Sequence, residues 1–124
     1  IYSGATTEKQ AWAVFRPARL MALQSPALQS AYGVTVNAQN LHILANGSRF
    51  EPLIGKPGDG ASPSLAIHDE YHEHATDEQV STMETGVMAR AQALSLIITT
   101  AGDNLAGPCY AAMQDAQRVL DGTM

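Results

Sequence analysis

The chain has 124 residues, which is enough for one domain or part of one, and it is 45% hydrophobic and 15% charged. This apolar share excludes a disordered tail. With 12 Asp and Glu against 7 Lys and Arg, the net charge of −5 excludes a basic surface for nucleic acid. No apolar run approaches the ~18 residues of a membrane span. The single cysteine excludes an internal disulfide and fits a reducing cytoplasm.

The chain opens with a strand and a helix pattern. Residues 1–5 are a short apolar stretch that predicts a buried strand. Thr7 followed by Gln10 has the spacing of a capping box and predicts a helix that runs to about residue 23. Pro17 lies inside this helix and should kink or interrupt it, because proline removes one backbone donor. A second, short helix is predicted over 25–33.

The clearest local signal is a β-hairpin. Asn46-Gly47 separates two runs of alternating apolar and polar residues, as in hairpins with two-residue turns. Such a turn predicts that Ile43 pairs with Phe50 on one face of the hairpin. It also predicts that His42 pairs with Glu51 on the other face.

The second half of the chain alternates strands with helices. A loop rich in Gly, Pro and Ser over 55–64 precedes an apolar strand at 65–67. A second capping box at 76–79 predicts a helix, and the β-branched stretch 94–100 predicts a strand. A last helix is predicted over 107–122. Strands separated by helices imply parallel crossovers, so we expect an α/β fold with helices packed on a largely parallel sheet.

Two adjacent carboxylates, Asp69 and Glu70, follow the strand at 65–67. Ligands of open α/β sheets bind at the carboxyl ends of the strands. There one carboxylate can hold Mg²⁺ and a second can orient and deprotonate an attacking water during phosphoryl transfer. On composition alone, however, such a pair after a strand is usually just the polar start of a loop. The hydroxyls of Thr99 and Thr100 end the next predicted strand, where they could sense a γ-phosphate.

Together these segments resemble the phage terminase large subunits. The region 63–74 resembles the Walker B region of that family, in which Asp-Glu is followed by an aromatic, His-rich stretch, and 97–102 resembles its motif III. Further matches lie in Gly107-Pro108-Cys109-Tyr110, Tyr2-Ser3-Gly4-Ala5-Thr6, Gln10-Ala11 and Gly47-Ser48-Arg49-Phe50. The resemblance covers nearly the whole chain, with separated motifs in the family's order.

The resemblance implies a three-layer P-loop NTPase-type (RecA-like) domain that uses ATP and Mg²⁺ to drive DNA into a procapsid. It implies that Asp69 helps to hold Mg²⁺ and that Glu70 acts on the hydrolytic water. Thr99 and Thr100 would contact the nucleotide and link its state to movement. The intact family protein acts in the bacterial host cytoplasm with DNA, a portal and a small terminase subunit.

The phosphate-binding P-loop, G-x-x-x-x-G-K-[ST], does not occur in this sequence. The Gly55-Lys56 pair is followed by Pro57, which offers neither an amide nor a Mg²⁺-binding hydroxyl. We therefore expect residues 1–124 to be a partial ATPase domain, without the P-loop region or the C-terminal nuclease, and inactive alone. It should also self-associate. No arginine finger is assigned, because Asp59 occupies the expected position.

A different class of function remains open at the cluster over 68–74, which contains His68, His72, His74 and several carboxylates. Imidazoles and carboxylates at this density can bind Zn²⁺ or another divalent ion. The side chains would align only if the strand continued through His74. If the strand ends after Glu70, His72 and His74 are expected to be solvated. A third possibility is a module that folds but has no activity of its own.

Overall fold

The computed structural model describes residues 1–54 and 62–124, so most of the predicted loop at 55–64 lies outside the described residues. The described residues form six strands and four α-helices. The strands are β1 (Tyr2–Ala5), β2 (Val34–Val36), β3 (Leu41–Ile43), β4 (Ser48–Ile54), β5 (Leu65–Asp69) and β6 (Leu94–Ile98). The helices are α1 (Glu8–Leu23), α2 (Pro26–Tyr32), α3 (Glu78–Val87) and α4 (Pro108–Leu120).

One sheet, in the order β2-β3-β4-β1-β5-β6, contains all the described strands. The pairs β4–β1, β1–β5 and β5–β6 are parallel, whereas β2–β3 and β3–β4 are antiparallel. The prediction that the first, fifth and sixth strands share a parallel sheet is thus confirmed. The hairpin extends this sheet on one side, and β2, which the sequence analysis did not predict, is its outermost strand.

The hairpin exists, but its predicted register is wrong. Ile43 pairs with Ser48, and Phe50 pairs with Leu41. The connection is therefore residues 44–47 and not a two-residue turn. Within it the Asn46 side chain accepts a hydrogen bond from the Ser48 amide at 3.0 Å, which fixes a wider turn. Since the register differs by an even number of residues, the predicted faces of the two strands are unchanged.

Helix α1 covers one face of the sheet. The Thr7 side chain caps it by accepting a hydrogen bond from the Gln10 amide at 3.3 Å. Phe15 is fully buried and packs edge-on against Phe50 of β4, with ring centroids 5.3 Å apart. The helix is not interrupted at Pro17, which is exposed, so the carbonyl that loses its partner faces the solvent side of the helix.

Helix α3 lies on the opposite face, which gives three layers. Its N-cap is Asp77, without a side-chain cap bond, so the predicted capping box is wrong. Gln79 does not cap the helix because its side chain turns inward, where Nε2 donates to the Ala5 carbonyl at 3.3 Å. Ser3 contacts α1 through a hydrogen bond to Ala11 O, whereas the next residue, Gly4, lies against Gln79. Successive strand residues point to opposite faces, so the two helices flank β1.

Candidate functional site

Three parallel strands bring their carboxyl ends to one edge of the sheet. These ends are the β1–α1 turn at Thr6 and Thr7, the acidic pair after β5, and the hydroxyl pair after β6. The three carboxyl ends lie side by side because β1, β5 and β6 are neighbours in the sheet and run in the same direction. The structure therefore brings together all four residues that the sequence analysis selected.

Asp69 ends β5, and Glu70 turns the chain sharply out of the sheet. Among the described residues Glu70 is the one non-glycine residue with a positive φ, at 52°. This left-handed conformation costs about 1–2 kcal/mol for a residue with a side chain. The Glu70 amide donates to Asp69 Oδ1 at 3.0 Å, which partly offsets that cost. Strain of this kind concentrates at functional sites, and the Glu70 side chain is 39% exposed.

His72 connects the acidic pair to the end of β6. It lies in a 3-10 turn, Tyr71–Glu73, directly after Glu70. Its Nδ1 is 3.3 Å from Glu70 Oε2 and 3.1 Å from Thr99 Oγ1. Its backbone amide donates to Thr99 Oγ1 at 3.0 Å, and Thr100 Oγ1 is 3.4 Å from Nδ1. The His72 side chain is 21% exposed, so it is largely covered and not solvated as expected.

A second set of contacts reaches the start of α1. Glu73 Oε1 is 3.8 Å from His72 Nε2, and Glu73 Oε2 accepts a hydrogen bond from Gln10 Nε2 at 2.6 Å. Gln10 Oε1 in turn accepts from Thr6 Oγ1 at 3.0 Å. This role of Glu73 was not predicted from the sequence, because its partner Gln10 is 63 positions away and no local spacing indicates the contact.

The other two histidines of the cluster are buried. His68 is 1% exposed, with Nδ1 3.3 Å from Gln79 Oε1, and His74 is 4% exposed with its ring edge-on to Tyr71. Burial lowers the pKa of both imidazoles, since it disfavours the charged form. The expectation of a solvated His74 is wrong, because the chain turns back into the core after the 3-10 turn.

A site for Zn²⁺ in this cluster is not favoured by the geometry. The strand ends at Asp69, so the histidines do not share one face. In the part of the chain that the structure describes, no group of three or more His, Cys, Asp and Glu side chains is placed to hold a metal ion. The oxygen donors at the edge suit Mg²⁺ better, because Mg²⁺ is commonly held by one or two carboxylates together with waters and phosphate oxygens.

A cavity of about 620 Å³ lies elsewhere, at the amino ends of the strands, and its lining includes Tyr2, Arg49, Ser64 and Arg90. We place the candidate site at the opposite edge, because the carboxyl ends of parallel strands are where open α/β sheets bind ligands. The acidic pair and the hydroxyl pair are also found there and not around the cavity.

Cys109 is buried beside the site, in a cluster with Tyr71 and Val80. Its Sγ is 3.7 Å from Thr99 Oγ1. This buried position suits a small structural residue. No helix among the described residues is long and apolar enough to cross a membrane.

The three layers, the parallel central strands and the acidic pair at the end of β5 define an α/β domain of the P-loop NTPase type. Comparison with known proteins identifies the family. A family model described as "Terminase large subunit, ATPase domain" matches residues 1–118. The chain therefore belongs to the family of terminase large subunit ATPase domains.

Two individual proteins are similar to this chain. Protein YmfN of Escherichia coli (strain K12) is 51% identical over 69 residues, which is 56% of this chain and 15% of that protein. The crystal structure of the HK97 bacteriophage large terminase matches with a TM-score of 0.79 and 29% sequence identity, over 98% of this chain and 26% of that chain. This chain thus spans only a small part of either protein.

Proposed function

We propose that this chain is the part of a phage or prophage DNA-packaging ATPase that positions the hydrolytic water and links hydrolysis to movement. The observation that carries the proposal is the meeting of Asp69, Glu70 and the Thr99–Thr100 hydroxyls at one sheet edge. In the complete protein DNA, a portal and a small terminase subunit are the partners, and the bacterial host cytoplasm is the location.

Each residue has a distinct role in this proposal. Asp69, whose Oδ1 accepts a hydrogen bond from the Glu70 amide, would hold Mg²⁺. The metal supplies charge neutralisation at the phosphates when it is bound. Glu70 follows the end of β5 and its side chain is partly exposed. Its carboxylate orients the attacking water and takes the proton of that water. Thr99 and Thr100, which are exposed residues directly after β6, contact the nucleotide.

By itself the chain is inactive in this proposal, because it lacks the backbone amides and the lysine that hold the phosphates. The remaining groups near the nucleotide include two carboxylates, which repel phosphate unless Mg²⁺ lies between them. We expect ATP–Mg²⁺ to bind no better than ~1 mM, or about 4 kcal/mol. Titration calorimetry checks this value. A micromolar dissociation constant would contradict the proposed dependence on an external P-loop.

A chimera tests the catalytic role. Residues 1–118 of this chain replace the matching segment of the HK97 bacteriophage large terminase, and ATP hydrolysis is measured. Glu70→Gln should lower the turnover number by about 10²–10⁴-fold, the usual effect of losing a general base. Glu84→Gln, which makes the same change on an exposed position of α3, is the matched control. Equal turnover in the two variants would refute the role of Glu70.

A further inference from the structure

His72 is held between the acidic pair and the end of β6. Besides the contacts of Nδ1 with Glu70 and Thr99, its backbone amide is bound by the same Thr99 hydroxyl at 3.0 Å. Gly102 packs directly on the side chain, since a Cβ built on Gly102 would lie 2.7 Å from His72 Cβ. Residues 99–102 thus contact both the backbone amide and the side chain of His72.

The contact with Glu70 favours one tautomer of the ring. A carboxylate only accepts hydrogen bonds, so the contact between Glu70 and Nδ1 is favourable when Nδ1 carries a hydrogen. The same hydrogen lies within reach of the Thr99 hydroxyl, 3.1 Å away. On the other side of the ring, Nε2 is 3.8 Å from Glu73 Oε1, which is too long for a hydrogen bond.

We propose that His72 is a positioning residue that fixes the Glu70 carboxylate and ties its place to that of residues 99–102. The proposal rests on the function of Glu70 proposed above. A displacement of the segment after β6 moves His72 through Thr99 and Gly102. Since Nδ1 lies 3.3 Å from Glu70 Oε2, a shift of the ring displaces the contact that holds the Glu70 carboxylate. His72 would thus carry the link between nucleotide contact and water activation.

The first experiment reads the tautomer of His72 in this chain, without nucleotide. Long-range ¹H–¹⁵N correlation spectra of the labelled chain distinguish a hydrogen on Nδ1 from one on Nε2. We expect the Nδ1–H form in the parent chain. Glu70→Ala should return the ring to the Nε2–H form that free imidazole side chains favour, whereas Glu73→Ala, which removes the carboxylate facing Nε2, should not. An Nε2–H parent, or an identical response to both variants, would refute the proposal.

The second experiment tests whether His72 transmits a change at Thr99 to Glu70. Thr99→Val keeps the shape of the side chain but removes the hydroxyl. We expect the hydrogen exchange of the His72 amide to become about fivefold faster, the effect of losing one hydrogen bond. The carboxyl ¹³C resonance of Glu70 should shift as well. In the His72→Ala background Thr99→Val should leave that resonance unchanged, and a persistent shift would contradict transmission through His72.

Conservative replacements separate positioning from packing. The side-chain nitrogen of asparagine is two bonds from Cβ, as Nδ1 is, whereas that of glutamine is three bonds from Cβ, as Nε2 is. His72→Asn should therefore keep the dependence of the Glu70 resonance on Thr99, and His72→Gln should lose it. Equal behaviour of both replacements would mean that the ring only fills space.

These results are independent of catalysis. If the chimera with Glu70→Gln hydrolyses ATP normally, the proposed function fails while the spectra of His72 still decide its contacts. If Glu70→Gln abolishes hydrolysis but the Nε2–H tautomer is found, the proposed function stands and the positioning role of His72 is wrong.

Discussion

A methyl group at Gly4 should destabilise this domain, although alanine suits a strand better than glycine. A Cβ on Gly4 would lie 2.5 Å from Gln79 Oε1 and 2.9 Å from its Cδ. Gln79 is 5% exposed and cannot simply swing into solvent. Its amide holds the Ala5 carbonyl at 3.3 Å and lies 3.3 Å from Nδ1 of His68, so any movement disturbs both contacts.

The magnitude follows from the two ways in which the clash can be relieved. If the Gln79 amide stays, β1 and α3 move apart, and such overpacking costs about 1–3 kcal/mol. If the amide moves, buried polar groups lose their partners at about 1–3 kcal/mol each. The gain from replacing glycine by alanine is only about 0.5–1 kcal/mol. We therefore expect Gly4→Ala to lower the free energy of unfolding by about 2 kcal/mol.

Urea denaturation followed by circular dichroism measures this loss, and a double-mutant cycle with Gln79→Ala isolates its cause. Gln79→Ala removes the amide that clashes, so Gly4→Ala should cost less than about 0.5 kcal/mol in that background. An unchanged or raised stability of Gly4→Ala alone would refute the reasoning. So would an equal cost in both backgrounds, which would mean that the clash is not with Gln79.

Two further predictions concern stability. Glu70→Gly should be more stable than Glu70→Ala by about 1 kcal/mol in urea denaturation, because both lack the carboxylate and only glycine relieves the left-handed strain. An equal stability would mean that Glu70 is not strained. Since burial lowers the pKa of His68 and His74, the unfolded chain takes up protons first, and stability should fall as the pH drops below about 6.5. His74→Phe, which keeps a ring against Tyr71, should lose part of this dependence, and a flat profile in the parent would contradict it.

The sequence predicted the framework of the site because that framework depends on local patterns. Strands at 1–5, 65–67 and 94–100 with helices between them require parallel pairing, and parallel pairing places Asp69, Glu70, Thr99 and Thr100 at one edge. This step also requires that β5 and β6 be neighbours in the sheet, which local patterns do not determine. Parallel pairing explains why the four residues come together in the structure although no single motif joins them.

The predictions that were wrong concern residues whose positions depend on contacts between distant segments. The N-cap of α3 moved to Asp77 because Gln79 is used by β1 and not by its own helix. His74 is buried against Tyr71, although its sequence neighbours Glu73 and Ala75 do not form an apolar run. The left-handed Glu70 has no signature in the sequence, since glutamate is not a typical residue for that conformation. Local propensity gives way wherever tertiary contacts compete for the same side chain.

The exposed edge of the sheet leads to a prediction about association. Strand β6 pairs only with β5 among the described strands, so its other side presents free backbone groups. Leu94, Leu96 and Ile98 of this strand are 57%, 43% and 46% exposed. Unpaired strand edges recruit other chains, and extended apolar surface seldom persists on soluble monomers. The net charge of −5 opposes association only weakly, because salt screens such repulsion beyond about 10 Å.

We therefore expect the chain to self-associate through β6, most simply as a two-fold dimer. Sedimentation across a concentration series should show the apparent mass rising with concentration. Leu96→Lys should return the chain to a monomer, because a charge on an edge strand blocks further pairing. Leu44→Lys makes the same substitution in the hairpin connection, where the leucine is 81% exposed, and should leave the association unchanged. A strict monomer at high concentration would mean that the edge is covered within the chain. An equal effect of both substitutions would mean that charge alone controls association, and not the edge of β6.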